Sequence, residues 1–124
     1  MASKIIIEPR GWTATFDEST NFVGYNDEKI DIFGLGNTPE DAKIDLAKEI
    51  ACYATGDLKT ALDELATDEI IRAALKRAEK RVIYYEDLLK TASHKEHVER
   101  IIFALRRGIE ALRNLISSMQ EHTQ

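Results

Sequence analysis

Apolar side chains recur at alternating steps of four and three residues through the second half of the chain, and this spacing restricts the fold most. An α-helix with this spacing carries one apolar stripe, as in coiled coils and helical bundles. The stripe residues are Ile71, Leu75, Ala78, Val82, Tyr85, Leu89, Ala92, Val98, Ile102, Leu105, Ile109, Leu112, Ile116 and Met119. Two helices of about 25 residues each, roughly 37 Å long, are therefore predicted.

A short interruption divides the stripe between the two helices. Ser93 and Glu96 have the spacing of a capping box, in which two side chains satisfy backbone N–H groups at the start of a helix. Because the interruption is short, the second helix should fold back on the first. The sequence thus predicts a long antiparallel helical hairpin, similar to a coiled coil, over residues 67–124.

Further apolar residues widen the stripe beyond a single seam. They are Ile70, Ala74, Leu88, Ile101, Phe103 and Leu115. Two helices packed only on each other would leave these side chains in water, so the N-terminal part, a second copy of the chain or a partner must cover them. A second copy is the favoured interpretation, and it predicts a homodimer built around a four-helix bundle. The predicted oligomer interface consists of Leu75, Val82, Leu89, Val98, Ile102, Leu105, Ile109, Leu112 and Ile116.

The N-terminal part has the pattern of a small antiparallel β-sheet. Residues 4–8 are mostly apolar and β-branched, residues 12–17 alternate between apolar and polar, and residues 30–36 form a third apolar run. Such runs are typical of strands with at least one buried face. A short extra strand within residues 22–25 is an open alternative.

A helix with clear start and end signals follows these strands. Thr38 is a good N-cap, Pro39 suits the first helical position, and Gly56 suits the end. The predicted fold class is therefore α+β, with a small antiparallel β-sheet packed on one helix. Residues 1–56 would form this β-β-β-α domain and residues 57–66 a short helical connector, before the hairpin that serves dimerisation.

The charge of the chain is distributed unevenly. Hydrophobic residues make up 44% and charged residues 31%, so the chain can form a core. Residues 1–67 carry 6 Lys or Arg against 13 Asp or Glu, whereas the remainder carries 11 against 9. The acidic front half should repel nucleic acid and attract basic partners. No apolar run reaches the ~18 residues of a membrane helix and no signal peptide is recognisable, so a cytoplasmic protein without a membrane partner is predicted.

No residue pattern indicates catalysis, a metal site or a cofactor. Cys52 is the single cysteine, and in an apolar helix it should be a packed and unreactive thiol. Gly34 and Gly36 precede a helix but lack the third glycine of a dinucleotide-binding loop. His94 and His97 supply too few ligands for structural zinc. The sequence therefore predicts that the protein is not an enzyme.

Basic residues form two rows on the first long helix. Arg72, Lys76 and Lys80 are spaced four apart, as are Arg77 and Arg81, so each row lies on one helix face. Such rows can follow phosphates, which makes these five residues possible nucleic-acid contacts. The alternative is a solvent-facing side that forms ion pairs along the helix. This alternative is favoured because exposed aromatic residues are not interleaved with the rows.

Two motifs in the N-terminal part resemble those of the HicB-like antitoxin domain. One is Gly11-Trp12-Thr13-Ala14-Thr15-Phe16-Asp17, and the other is Gly36-Asn37-Thr38-Pro39-Glu40-Asp41-Ala42, followed by Leu46 and Ile50 along the helix. The resemblance spans about residues 4–54. It implies a sheet that docks on a protein partner such as a toxin, and no catalytic residue. The sheet residues placed to contact a partner are Trp12, Phe16, Tyr25 and Phe33.

The sequence favours a non-enzymatic, antitoxin-like regulatory module that acts as a homodimer and sequesters a macromolecule such as a toxin or nuclease. One alternative is a nucleic-acid-binding protein that uses the basic rows. Another is a small inhibitor from a phage or mobile element that mimics nucleic acid with its acidic half. Salt-dependent retention on DNA or RNA separates the first alternative from the favoured interpretation.

Overall fold

The computed structural model has the predicted α+β architecture. It describes residues 5–9, 11–16, 22–24 and 28–122. Of residues 121 and 122 it describes the backbone alone. The elements are β1 (Ile5–Glu8), β2 (Thr13–Phe16), β3 (Phe22–Val23), β4 (Lys29–Ile30), β5 (Phe33–Leu35), α1 (Pro39–Tyr53), α2 (Leu58–Leu62), a 3-10 helix (Asp63–Leu65), α3 (Asp68–Leu89) and α4 (Lys95–His122). None of the helices in these ranges is both long enough and apolar enough to cross a membrane.

The strands form two small antiparallel sheets. In the larger sheet β2 lies between β1 and β5, and Ala14 of β2 is opposite both Ile7 and Gly34. In the smaller sheet β3 pairs with β4. The third apolar run, predicted as one strand over residues 30–36, is therefore two strands that pair with different partners. The short strand predicted as an alternative near residue 22 is present as β3.

Helix α1 begins at the predicted N-cap and packs closely on the sheet. The Asp41 N–H donates to Thr38 Oγ1 at 3.0 Å, and Pro39 occupies the first helical position. A Cβ atom at Gly34 would lie 2.2 Å from the backbone nitrogen of Leu46. Only a glycine therefore lets β5 approach α1 this closely.

Helices α3 and α4 form the predicted antiparallel hairpin, and α1 packs against both of them. Thr67 caps α3, since the Ile70 N–H donates to its Oγ1. One apolar core runs from the sheet through α1 and α2 into the hairpin. The predicted boundaries at residues 56 and 66 therefore fall at turns of the chain, while the core continues across them.

The same chain covers most of the apolar stripe of the hairpin. Cys52, near the end of α1, lies in a groove between Ala78 of α3 and Ala104 of α4, and Gly108 lets α4 approach it. The predicted interface residues Val98, Ile102, Leu105, Ile109, Leu112 and Ile116 are buried within the single chain, whereas Leu75, Val82 and Leu89 are half-buried. The six buried side chains belong to the core of one chain, so a contact between two folded copies does not use them.

Candidate binding cleft

A cleft of about 530 Å³ opens where β5, α1, α3 and α4 meet. Two concavities adjoin it, one of about 420 Å³ along β5 and one of about 630 Å³ beside the first turns of α4. All three share Tyr53, the last residue of α1. We call the surface that they form together the Tyr53 face. It lies where α1 ends, because no further turn of that helix fills the groove between α3 and α4.

Exposed apolar side chains surround the cleft. Phe33 is 52% exposed, Leu35 53%, Tyr84 56% and Phe103 62%, and each lines one or more of the three concavities. Phe33 and Leu35 point outwards because the residue between them, Gly34, lies against α1 and successive strand residues alternate in direction. Single exposed apolar residues are common, but a cluster around a concavity is typical of a contact surface.

A buried lysine connects the charges on the floor of the cleft. The Nζ of Lys48 lies 2.9 Å from Asp45 Oδ1 and 3.0 Å from Glu49 Oε1. Desolvation by burial lowers the pKa of Lys48, but Glu49 and Asp45 outweigh it and hold this pKa above the ordinary 10.5. Asp45 also accepts a hydrogen bond from the Leu35 N–H at 2.9 Å. This hydrogen bond satisfies a donor at the free edge of the sheet, which otherwise could pair with another strand.

The structure brings part of the predicted basic rows to the cleft. Arg77, Lys80 and Arg81 line it, whereas Arg72 and Lys76 do not. Arg72 pairs with Asp68 in its own helix, with an Nε–Oδ1 distance of 2.9 Å. Arg77 donates to the backbone carbonyl of Asp41 at 3.0 Å and lies 3.5 Å from its carboxylate. Neither Lys80 nor Arg81 forms an ion pair with any described residue.

Tyrosines accompany these cations, and the sequence interpretation missed them. Tyr53, Tyr84 and Tyr85 line the same cleft as Lys80 and Arg81. Tyr84 follows Arg81 by three residues and Lys80 by four, so helical periodicity alone places it on their side of α3. An exposed aromatic residue therefore does accompany the basic residues on this face, contrary to the interpretation of the sequence.

The predicted sheet residues do not form one site. Trp12 is half-buried and packs on the core, and Phe16 is buried with its ring 5.8 Å from that of Phe22. Tyr25 lies outside the described residues. Phe33 is exposed, and it belongs to the Tyr53 face.

Cys52 lies in the core beneath this face. Burial raises the pKa of its thiol to about 12, and the negative charge of Glu49 acts in the same direction. At neutral pH the thiol is therefore protonated and covered, as a packed cysteine should be. His94 and His97 are exposed near the start of α4. Within residues 5–9, 11–16, 22–24 and 28–120, no group of His, Cys, Asp and Glu is placed to hold a metal ion.

Alkaline pH should destabilise the protein through Cys52. The ordinary pKa of 9.0 is raised to about 12 in the folded state, so the unfolded chain releases the thiol proton at lower pH than the folded chain does. The contribution of the protonated thiol to the free energy of unfolding is fully present below pH 9.0. Above that pH the free energy of unfolding should fall by about 1 kcal/mol per pH unit. Urea unfolding between about pH 8 and 10 measures this loss, and Lys48 stays protonated in that range. Cys52→Ala should flatten the curve, and parallel curves for the two proteins would contradict the assignment to Cys52.

No protein-family model matches the sequence, and neither a curated protein nor a solved structure matches the chain. The resemblance to HicB-like antitoxin domains therefore stays a prediction, and the chemistry of the Tyr53 face is the basis for proposing a function.

Proposed function

We propose that this protein is a protein-binding module and that the Tyr53 face is its contact surface. The observation that carries the proposal is the cluster of exposed apolar side chains contributed by β5, α3 and α4 around one cleft. Aromatic residues are enriched in the centres of protein interfaces, where they fill pockets of the partner and exclude water. Phe33, Tyr84 and Phe103 are suited to this role.

The charges of the face also favour a protein partner. Lys80 and Arg81 lie on its α3 side, and Glu96 and Glu99 lie on its α4 side. A surface with both signs suits the mixed charge of another protein better than the uniform negative charge of a nucleic acid. The HicB-like motifs and the acidic front half support, independently of this face, an antitoxin-like regulatory role in which the N-terminal part sequesters a toxin or nuclease.

A second candidate function is the binding of single-stranded nucleic acid. Lys80 and Arg81 have no ion-pair partner among the described residues and lie beside Tyr84. Cations next to exposed aromatic rings are the combination that holds phosphates and stacks bases. Asp45 and Glu49 in the same cleft, and the net charge of −5, oppose this binding.

Site-specific photo-cross-linking in cells tests the proposal. A benzophenone amino acid replaces Phe103 on the Tyr53 face in the full chain, and a control replaces Ile83. Ile83 is a matched control because it is 66% exposed and lines a different groove on the back of the hairpin. Protein adducts are expected at position 103, and they should fall at least about fivefold when Leu35→Asp adds a charge to the cleft.

The adducts also separate the candidate functions. Adducts that a nuclease removes would favour nucleic-acid binding over protein binding. Equal amounts of protein adduct at positions 103 and 83, or none at position 103, would show that the Tyr53 face is not the contact surface.

A further inference from the structure

The charges on the two sides of the hairpin are satisfied differently. In the back groove, Arg113 pairs with Glu79 at 2.8 Å and Arg106 pairs with Glu86, so ion pairs join α3 to α4. On the Tyr53 face, none of Lys80, Arg81, Glu96 and Glu99 forms an ion pair with a described residue. The Tyr53 face therefore offers these charges to a partner beside the exposed Tyr84 and Phe103. Of the charged residues that line the back groove, only Glu110 lacks an ion pair with a described residue.

These charges are segregated by sign. Lys80 and Arg81 lie on α3, in the cleft that contains Tyr84, where Lys48 pairs with both carboxylates of the lining, those of Asp45 and Glu49. Glu96 and Glu99 lie on α4, in the concavity that contains Phe103, and Arg100 in the same lining offsets one of these two charges. Tyr53 lines both concavities and so lies between the two groups. A twofold rotation about an axis near Tyr53 places the cationic side of one copy against the acidic side of another. Such a surface is complementary to itself, which is the condition for a symmetric homodimer.

We infer that the partner of the Tyr53 face is a second copy of this chain. The inference rests on the proposed function, because it names the protein that this face binds. Tyr84 and Phe103 supply the apolar centre of the contact, and Lys80 and Arg81 of each copy face Glu96 and Glu99 of the other. Because α1 already fills the rest of the groove, the dimer forms without opening the core of either chain. In this dimer the two copies meet through exposed residues of the Tyr53 face, and not through the interface predicted along the apolar stripe of the hairpin.

A charge-swap experiment on the full chain tests the inference. One variant carries Lys80→Glu and Arg81→Glu, and the other carries Glu96→Lys and Glu99→Lys. In each variant the facing charges have the same sign, so self-association should weaken at least about tenfold relative to the unchanged chain. In an equimolar mixture the two variants are complementary, and their association should return to within about threefold of the unchanged chain. Sedimentation velocity over a concentration series measures the association of the unchanged chain, of each variant and of the mixture.

The mixture distinguishes a specific interface from a folding defect, because an unfolded variant would not regain association when mixed. Phe103→Ser should weaken association by about tenfold or more, whereas Ile83→Ser, with a more exposed side chain on the back of the hairpin, should change it less than about twofold.

A species of 14.1 kDa at all concentrations would overturn the inference, as would variants that fail to associate when mixed. The proposed function is judged separately, by the cross-linked adducts at position 103. Adducts with a different protein, in the absence of adducts of two copies, would keep the protein-binding function and remove the second copy as the partner.

Discussion

Gly34→Ala is expected to be the most destabilising single change in the sheet. The new Cβ would lie 2.2 Å from the Leu46 nitrogen and 2.3 Å from the Ala42 carbonyl oxygen, and both are backbone atoms of α1. No side-chain rotation relieves such a contact, so β5 has to move away from α1 and loosen the core. We expect a loss of about 3 kcal/mol or more in the free energy of unfolding. Chemical unfolding followed by circular dichroism measures it.

Gly24→Ala is the matched control for this change. Gly24 is also buried, but the nearest atom to its added Cβ is a side-chain methyl carbon of Ile30 at 3.0 Å, which can shift. The control should cost less than about 1 kcal/mol. A Gly34→Ala protein as stable as the control would mean that β5 does not lie against α1 at this point.

Local sequence patterns were sufficient to predict most elements of this fold. The alternation around Ala14 and the Thr38 cap depend on neighbouring residues only, and the structure confirms β2 and the start of α1. The antiparallel hairpin followed from the four–three spacing and its interruption. The third strand was predicted less well, because nothing local shows that Ile30 pairs with Phe22 whereas Phe33 pairs with Thr15.

The surface that covers the hairpin could not be read from the apolar spacing. A second copy and helix α1 of the same chain satisfy the same stripe equally well, because burial is not directional. A further signal was present in the small residues Ala74 and Ala78 on α3 and Ala104 and Gly108 on α4. These are buried, and they permit close approach of a third helix. Small residues spaced one helical turn apart next to the apolar stripe therefore indicate the groove in which another helix packs.

The ion pairs between helices and the cleft could not be predicted from local sequence patterns, because both join residues that are distant in sequence. The i,i+4 rule would pair Arg106 with Glu110, whereas Arg106 pairs with Glu86 across the hairpin. The cleft joins residues as distant in sequence as Leu35 and Leu105, so no motif describes it. Its cations were found because they share one helix face, and Tyr84 on that face could have been found in the same way.

Gly108→Ala is the second change with a large expected effect, and it tests the contact between α1 and α4. The added Cβ would lie 2.4 Å from Cys52 Sγ and 3.2 Å from Cys52 Cα. Overpacking of a core typically costs about 1–3 kcal/mol, and the gain in helix propensity returns up to about 1 kcal/mol. We expect a net loss of about 2 kcal/mol in the free energy of unfolding, measured by urea denaturation.

Both proposals about the Tyr53 face require α1 to lie in the groove of the hairpin, and a double-mutant cycle between Gly108 and Cys52 measures this contact. In the unchanged chain Cys52→Ala removes a buried sulfur and should cost about 1 kcal/mol. In the Gly108→Ala chain the same change removes the atom that the new methyl group meets, so it should restore stability, with a coupling energy of about 1 kcal/mol or more. If the two changes are additive within about 0.5 kcal/mol, α1 does not contact α4 at this position and the face described around Tyr53 does not exist.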